Sequence, residues 1–527
     1  MFRSPFADET IPAVSIFEFL FGDLSPEDAA RLALIDGTSG AETSYGALKA
    51  QAEALAGALA ARGIGVGDVV ALHSPNVPAF ATVFHGILRA GATATTINAL
   101  YGPEEIATQL RDSGATMLFT VSPLAGNALP AAEAVGLPAD RVVVLDGMEG
   151  HPNLRDLLTE GHAAPEVSFD PATHVAVMPY SSGTTGVPKG VQLSHTNLVA
   201  NVLQCNPVLD VTHEDRLLAL LPFFHIYGMT VLLNLALTRR AALVTMPRFD
   251  LPEFLRIIQD HACSYVFIAP PVAVALAKHP LVADYDLSRV RQVFSGAAPL
   301  DAGLAAAVET RLGTRVRQGY GMTEASPVTH VLPLEQGPIS TGSIGVPVPN
   351  TEVRIVDPET GADIERPASG QSAAGELWIR GPQVMLGYLN RPDATAETID
   401  ADGWLHTGDI ATIGEHGEFF IVDRLKELIK YKGYQVAPAE LEALLLTHEA
   451  IADAAVVGVT DEEAGEIPMA FVVRAGEAEL DEAAVMAFVE AHVAPHKKVR
   501  RVAFIEAVPK SSSGKILRKD LRASLGG

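Results

Sequence analysis

Cysteine is almost missing from this chain of 527 residues: Cys205 and Cys263 stand far apart and form no CxxC pair. That excludes a disulfide framework and a thiolate zinc site and fits a reducing compartment, so a cytoplasmic protein is expected. Positive charge is scarce as well. Lys and Arg number 38 against 63 Asp and Glu, a formal net charge of -25, which opposes binding to nucleic-acid phosphates or anionic membranes. No nucleic-acid partner is expected, and no obligate protein partner is evident. Repeats and low-complexity tracts are missing, and with 48% hydrophobic and 19% charged residues the chain is too apolar to stay disordered. The amino terminus, with Asp8 and Glu9 and no apolar run behind Arg3, does not read as a signal peptide, nor does the ending SLGG read as a peroxisomal address. One uncharged stretch, Leu217 to Thr238, has the roughly 20 residues that a bilayer span requires. Pro222, His225 and Gly228 would interrupt a lipid-facing helix and leave polar groups unpaired in hydrocarbon, so no span is expected.

What the chain does contain is an alternation of short apolar runs and helical patterns, too long for one core. Val69 to Leu72 and Arg141 to Leu145 are β-branched runs of the kind buried in parallel sheets, and Phe80 to Arg89 reads as a crossover helix. Asp250, with Pro252 in the first turn and Glu253 three residues on, is a helix start. Beyond residue 422 the texture changes to a small α+β unit. Its first helix opens at Pro438 with the stripe Leu441, Leu444 and Leu445, and a second carries Val485, Phe488 and Val489. Strands are expected over Ala454 to Val459, Ala470 to Val473 and Val502 to Ile505. The expected division is residues 1–422 and 423–527, with a hinge at Val422-Asp423-Arg424.

Four strings carry chemistry. SSGTTGVPKG follows the apolar run Val175 to Met178 and precedes a helix that starts near Ser194. Its glycines let the backbone approach phosphate oxygens, Ser181, Ser182, Thr184 and Thr185 supply hydroxyls, and Lys189 supplies a mobile positive charge. It is not a Walker A loop, because Pro188 and Gly190 flank the lysine. In Gln318-Gly319-Tyr320-Gly321-Met322-Thr323-Glu324 the aromatic ring suits a nucleobase and the carboxylate suits Mg²⁺ beside a phosphate. Asp409, closing GWLHTGD, is acceptor-only and fits ribose hydroxyls, with Arg424 to bind the same ribose or a phosphate. Lys426, Lys430 and Lys432 make the next segment locally basic in an acidic protein, and the last string, KSSSGK, carries Lys510 and Lys515.

Read in order, SSGTTGVPKG, LPFFHIYG, GYGMTE, GELWIRG, GWLHTGD, DRLKELIKYKGYQVAPAELE and SSSGKILRK resemble the adenylate-forming superfamily, most specifically its 4-coumarate:CoA ligase branch. The resemblance implies an α/β protein whose large amino-terminal domain has two sheets with helices plus a distorted β-barrel, with a small mobile α+β carboxy-terminal lid. It implies that a carboxylic acid is activated with ATP and Mg²⁺ and then passed to coenzyme A. Ser181, Ser182, Gly183, Thr184, Thr185 and Lys189 would hold the phosphates, Glu324 the magnesium, Gln318, Gly319 and Thr323 the adenylate, Tyr320 adenine, and Asp409 and Arg424 the ribose. Lys515 would serve the first half-reaction, and Lys430, Lys432, Gly433 and Gln435 the second, with Lys426 beside them and Arg248 offering CoA a positive charge. The implied acid pocket comprises His225, Tyr227, Val231, Gly296, Ala297, Gly321, Pro327 and Val328, with His225 also a catalytic candidate. Tyr227 suits a substrate phenol, whereas Val231 stands where plant hydroxycinnamate ligases often have a serine. Cinnamate or a medium-chain fatty acid therefore stays open beside 4-coumarate. So do a carrier-protein thiol or oxygen in place of CoA, and a non-catalytic nucleotide sensor.

Overall fold

The β-branched run Val69–His73 is a buried central strand, and Pro78–Arg89 is the helix that crosses over from it to Thr93–Ile97. We describe the chain from a computed structural model, which covers all residues except 182–187, 299, 336, 433, 462, 477–478, 512–514 and 527. The first sheet runs Gly387–Tyr388, Lys189–Ser194, Val175–Val177, Thr93–Ile97, Val69–His73, Met117–Thr120, Val142–Val144, with Tyr180–Ser181 paired to Lys189–Gly190. Its centre is parallel, so each strand is covered on both faces. The second sheet has six consecutive parallel strands at its heart: Leu32–Asp36, Ala242–Thr245, Arg216–Ala219, Tyr265–Ile268, Gln292–Ser295 and Arg315–Gly321. One apolar cluster joins the two sheets, with Leu34, Leu217 and Phe267 from one and Val70, Leu72 and Phe119 from the other.

The third layer is antiparallel: Phe2–Arg3, Glu352–Val356, Gly375–Arg380, Leu405–Ile413, Phe419–Arg424. Its end strands meet through Phe2 and Phe419, packed edge to face at 5.7 Å, which bends the sheet toward a distorted barrel. The last of these strands continues through Asp423 and Arg424, which pair with Ile410 and Asp409, so it outlasts the expected boundary by two residues. The carboxy-terminal sheet begins at Ile429–Tyr431 and has its own core of Leu441, Leu445, Val456, Val472, Val485 and Val489. Helices Pro438–Leu446 and Glu482–Glu490 bury the stripes expected of them, although Leu444 and Phe488 are only partly covered.

The uncharged stretch Leu217 to Thr238 is divided among a strand, a loop at Pro222, a π-helical segment Gly228–Asn234 and a short helix Leu235–Thr238. Among the described residues no helix is long and apolar enough to cross a membrane. Gly228 is needed at the start of the π-helix, since a Cβ there would lie 2.2 Å from the Pro222 carbonyl oxygen. The strand Lys189–Ser194, which the sequence does not announce, pairs antiparallel with Tyr180–Ser181, and the helix His195–Leu209 starts only after it, capped by Ser194 and Asn197. The alternation of Val191 and Leu193 with Gln192 explains the strand.

Candidate active site

The carboxyl ends of the second sheet's parallel strands carry most of the candidate residues, the usual place for a ligand in an open α/β sheet. From the strand Arg216–Ala219 the chain leads to His225 and Tyr227, from Gln292–Ser295 to Gly296 and Ala297, and Arg315–Gly321 ends in the Gln318 to Glu324 string. The phosphate hairpin reaches the same place from the first sheet. Ser181 Oγ donates to Glu324 Oε1 at 3.1 Å, and Tyr388 OH donates to the same oxygen at 2.9 Å. Lys189 Nζ lies 4.8 Å from the centre of the Tyr388 ring. Ser182, Gly183, Thr184 and Thr185 lie outside the described residues. The hairpin is tethered at its base by Tyr180 OH, which donates to Asp112 Oδ2 at 2.8 Å, while Arg391 binds the other oxygen of Asp112 at 3.4 Å.

Glu324 is buried, and a single carboxylate flanked by hydroxyls suits a hard cation that takes its remaining ligands from phosphate and water. Among the described residues no three His, Cys, Asp or Glu side chains converge as a protein cage. The donor set therefore fits magnesium bound with a nucleotide rather than before it.

Tyr320 reaches across to the third layer, donating to Asp409 Oδ2 at 2.5 Å, and Arg424 Nε sits 3.3 Å from Asp409 Oδ1. The pairing of Asp409 with Arg424 in the antiparallel register accounts for that proximity. Burial and the Asp409 charge hold the Tyr320 phenol protonated, well above its ordinary range. The Gln318 amide accepts from Leu300 N and donates to the carbonyls of Leu300 and Thr341, so the side chain braces neighbouring loops. Gly319 has its place because a Cβ would lie 2.9 Å from the Phe294 ring and from His330 O. Thr323 opens a short 3-10 turn in front of Glu324.

In the acid pocket, Tyr227 packs its ring against Gly296, where a Cβ would stand 2.6 Å from it. The Tyr227 hydroxyl is buried and finds no hydrogen-bond partner among the described residues. Val231 is buried on the π-helix that follows, Pro327 and Val328 are buried near by in sequence, and Gly321 and Ala297 stay exposed. Ala297 has a left-handed φ of 70°, a conformation kept at functional turns more often than elsewhere. His225 Nδ1 accepts from Tyr227 N at 3.4 Å, which leaves the proton on Nε2. Burial and nearby Lys515 push the His225 pKa down to about 4, so the ring is neutral at pH 7.

Lys515 is brought into this cleft by the carboxy-terminal unit. Burial and then Arg424 lower its pKa to about 8, while Asp409 and Glu324 oppose that shift. Lys430 and Lys432 are exposed on the opposite-running hairpin Ile429–Tyr431 and Tyr434–Val436, in which Gln435 pairs with Lys430. Lys432 has φ of 48°, as a tight primed turn requires, and Gly433 lies outside the described residues. Lys426 is exposed in the turn between the sheets, and Arg248 is exposed after the strand Ala242–Thr245. Tyr388 bonds Glu324 and Asp112 holds Tyr180 at the base of the hairpin, and nothing in their local sequence marks them. Their roles come from contacts with Glu324 and Tyr180, 64 and 68 positions away.

The AMP-binding enzyme profile matches residues 26–389, and that of the AMP-binding enzyme C-terminal domain matches residues 440–515. The chain is 43% identical to 4-coumarate--CoA ligase 5 of Oryza sativa subsp. japonica, covering 100% of this chain and 97% of that protein. It is 44% identical to 4-coumarate--CoA ligase 1 of Solanum tuberosum, covering 100% and 96%. Among solved structures it resembles ATP-bound MatB from Rhodopseudomonas palustris, with a TM-score of 0.88, 29% identity and coverage of 97% and 99%. It also resembles the anthranilate CoA ligase AuaEII in complex with anthranoyl-AMP, with a TM-score of 0.87, 26% identity and 97% coverage of both chains.

Proposed function

Because the chain belongs to the AMP-binding enzyme family and is an ATP-dependent, AMP-forming acid:CoA ligase, we propose that it activates 4-coumarate and related cinnamic acids through the site around Tyr227, Glu324 and Lys515. The observation that carries the substrate class is the Tyr227 hydroxyl, buried without a hydrogen-bond partner among the described residues. An unmet buried donor costs about 1–3 kcal/mol, which a substrate phenol at the ring's far end would relieve. Behind the strands beside Gly296 the buried rings of Tyr265, Phe267 and Phe294 pack on one another at 4.7 and 5.6 Å and make that wall rigid and apolar. Val231 offers no polar contact, so unsubstituted cinnamate is expected as a second substrate, and medium-chain acids compete for the same apolar wall.

In the first half-reaction a carboxylate oxygen attacks the α-phosphorus of ATP, the bond to pyrophosphate breaks, and an acyl-adenylate forms. Ser181 and Lys189 hold phosphate oxygens, Asp409 accepts from the ribose, and Tyr320 keeps Asp409 aimed. Lys515 offsets the negative charges of carboxylate and α-phosphate as they approach. Glu324 would hold Mg²⁺, which supplies charge neutralisation on the departing pyrophosphate. Neutral His225 presents an N–H to the carboxyl group without adding a second cation beside Lys515. In the second half-reaction the CoA sulfur attacks the acyl carbon and the bond to AMP breaks.

The unit of residues 423–527 is proposed as a lid that turns between the two steps, with the turn after Arg424 as its hinge. In that turn Leu425 N donates to Gly408 O, and Glu427 N and Leu428 N donate to Arg424 O. Lys430, Lys432, Gly433 and Gln435 would then face the cleft, Arg248 would meet CoA phosphate, and a cytoplasmic setting follows from the thiol pair and soluble substrates.

The test incubates protein with ATP, Mg²⁺, CoA and equal concentrations of 4-coumarate, cinnamate, benzoate and octanoate, following AMP and thioester. Preference for 4-coumarate that Tyr227→Phe abolishes, leaving cinnamate unchanged, supports the reading. Thioester from octanoate alone would move the protein to the fatty acyl ligases, and adenylate without thioester would point to another acceptor.

A further inference from the structure

We propose that Thr95 and Thr96, adjacent and buried on one strand, are positioning residues that hold the phosphate hairpin and the acid pocket in a single frame, an inference that rests on the two-substrate reading above.

A central parallel strand buried on both faces ordinarily reads as Val, Ile and Leu. Thr93–Ile97, sequence TATTI, carries three threonines instead, all of them buried. Each donates its hydroxyl to a backbone carbonyl of another segment. Thr93 Oγ1 bonds Val175 O at 2.7 Å, Thr95 Oγ1 bonds Met178 O at 2.8 Å, and Thr96 Oγ1 bonds Phe224 O at 2.7 Å. Met178 lies one residue, Pro179, ahead of Tyr180–Ser181, the first arm of the phosphate hairpin, and Phe224 immediately precedes His225. Successive residues of a strand point to opposite faces, so Thr95 and Thr96 tie the one strand to the nucleotide side and to the acid side respectively.

Two further amides complete the bracket. Gln109 Nε2 donates to Thr95 Oγ1 and to Thr96 O, each at 3.0 Å, and so fixes which way the Thr95 hydroxyl points. Asn76, following the neighbouring strand, donates to Ala219 O and Leu221 O at 2.8 Å and accepts from Phe223 N at 2.7 Å. The loop carrying His225 and Tyr227 belongs to the second sheet, yet its entry is held by the first sheet at four points. That matters for a reaction in which carboxylate and α-phosphate must be brought to near contact, since a misplacement of 1 Å lowers the rate steeply.

The test is a crossed pair of isosteric substitutions in the full-length protein, with pyrophosphate release read at saturation of the other substrate. Thr96→Val removes the hydroxyl on the acid side and is expected to raise the KM for 4-coumarate about tenfold while the KM for ATP stays within twofold. Thr95→Val is expected to do the reverse. Thr96→Ser and Thr95→Ser, which keep the donor, return most of each loss. Should a valine variant not fold, the alanine variant at the same position reads the same selective loss. The inference is overturned if both variants shift both constants alike, if only the melting temperature changes, or if serine fails to rescue. Absence of ATP-dependent acid activation in the unsubstituted protein would instead overturn the functional reading itself.

Discussion

Lys515 and Lys432 ride on loops of the same small carboxy-terminal unit, yet Lys515 is enclosed among Arg424, Asp409 and Glu324 while Lys432 stands in solvent on the far hairpin. A burial that lowers an ammonium's pKa to about 8 is an unfavourable arrangement unless an anion arrives to compensate it. On the two-step reading proposed above, the contrast gives this unit two basic surfaces, Lys515 for adenylate formation and Lys432 for the thioester step. Within this unit the Asp423 carboxylate accepts from Ala439 N at 2.9 Å at the start of the helix Pro438–Leu446, and Arg522 of the last helix pairs with Glu427 beside the turn.

The contrast is broken most severely at Lys515. Lys515→Ala should lower acyl-adenylate formation roughly 100- to 1,000-fold, the range for loss of one preorganised charge-stabilising donor, while thioester formation from supplied acyl-adenylate persists. Equal loss in both steps would mean that the two faces are not separate. Next in size is a pH effect. Lys515 loses its proton as pH rises through about 8, so the first half-reaction should decline about tenfold per unit above that value, and the thioester step should not follow it. A first step that stays flat to pH 10 would show that the charge on Lys515 is not required.

Replacing both Lys430 and Lys432 with Ala sharpens the comparison from the other side. Thioester formation should slow about tenfold, the order of a lost charge-assisted contact, with pyrophosphate release unchanged. The smallest effect is expected at Tyr320→Phe, which removes the hydrogen bond to Asp409. The KM for ATP should rise about fivefold, and a CoA titration should be unaltered.

Much of this organisation was legible beforehand because it is local. Asp250 caps the helix Leu251–Asp260 by accepting from Glu253 N, Ser194 caps His195–Leu209, and the Leu441 and Leu445 stripe is buried as its spacing predicts. Such features depend on residues three or four apart. The glycine-rich strings stand out in the sequence because few sequences place hydroxyls, glycine and lysine together between strands, and the structure brings Ser181 of one onto Glu324 of another. What the string could not show is how its side chains are braced: the Gln318 amide is engaged by Leu300 and Thr341, residues 18 and 23 positions away. The strand Lys189–Ser194 was overlooked because its two glycine-flanked residues resemble the end of a loop.

The sequence by itself determined the two-part plan, the caps and periodic faces, and the chemical character of each string, since all of these follow from side-chain type and short-range spacing. Tertiary structure alone decided the company those strings keep. Tyr388 under Lys189, Tyr320 on Asp409, Thr96 on Phe224 and Lys515 in the cleft join residues 64 or more positions apart. Parallel strands make this unavoidable, because their carboxyl ends gather loops that the intervening crossover helices keep far apart along the chain.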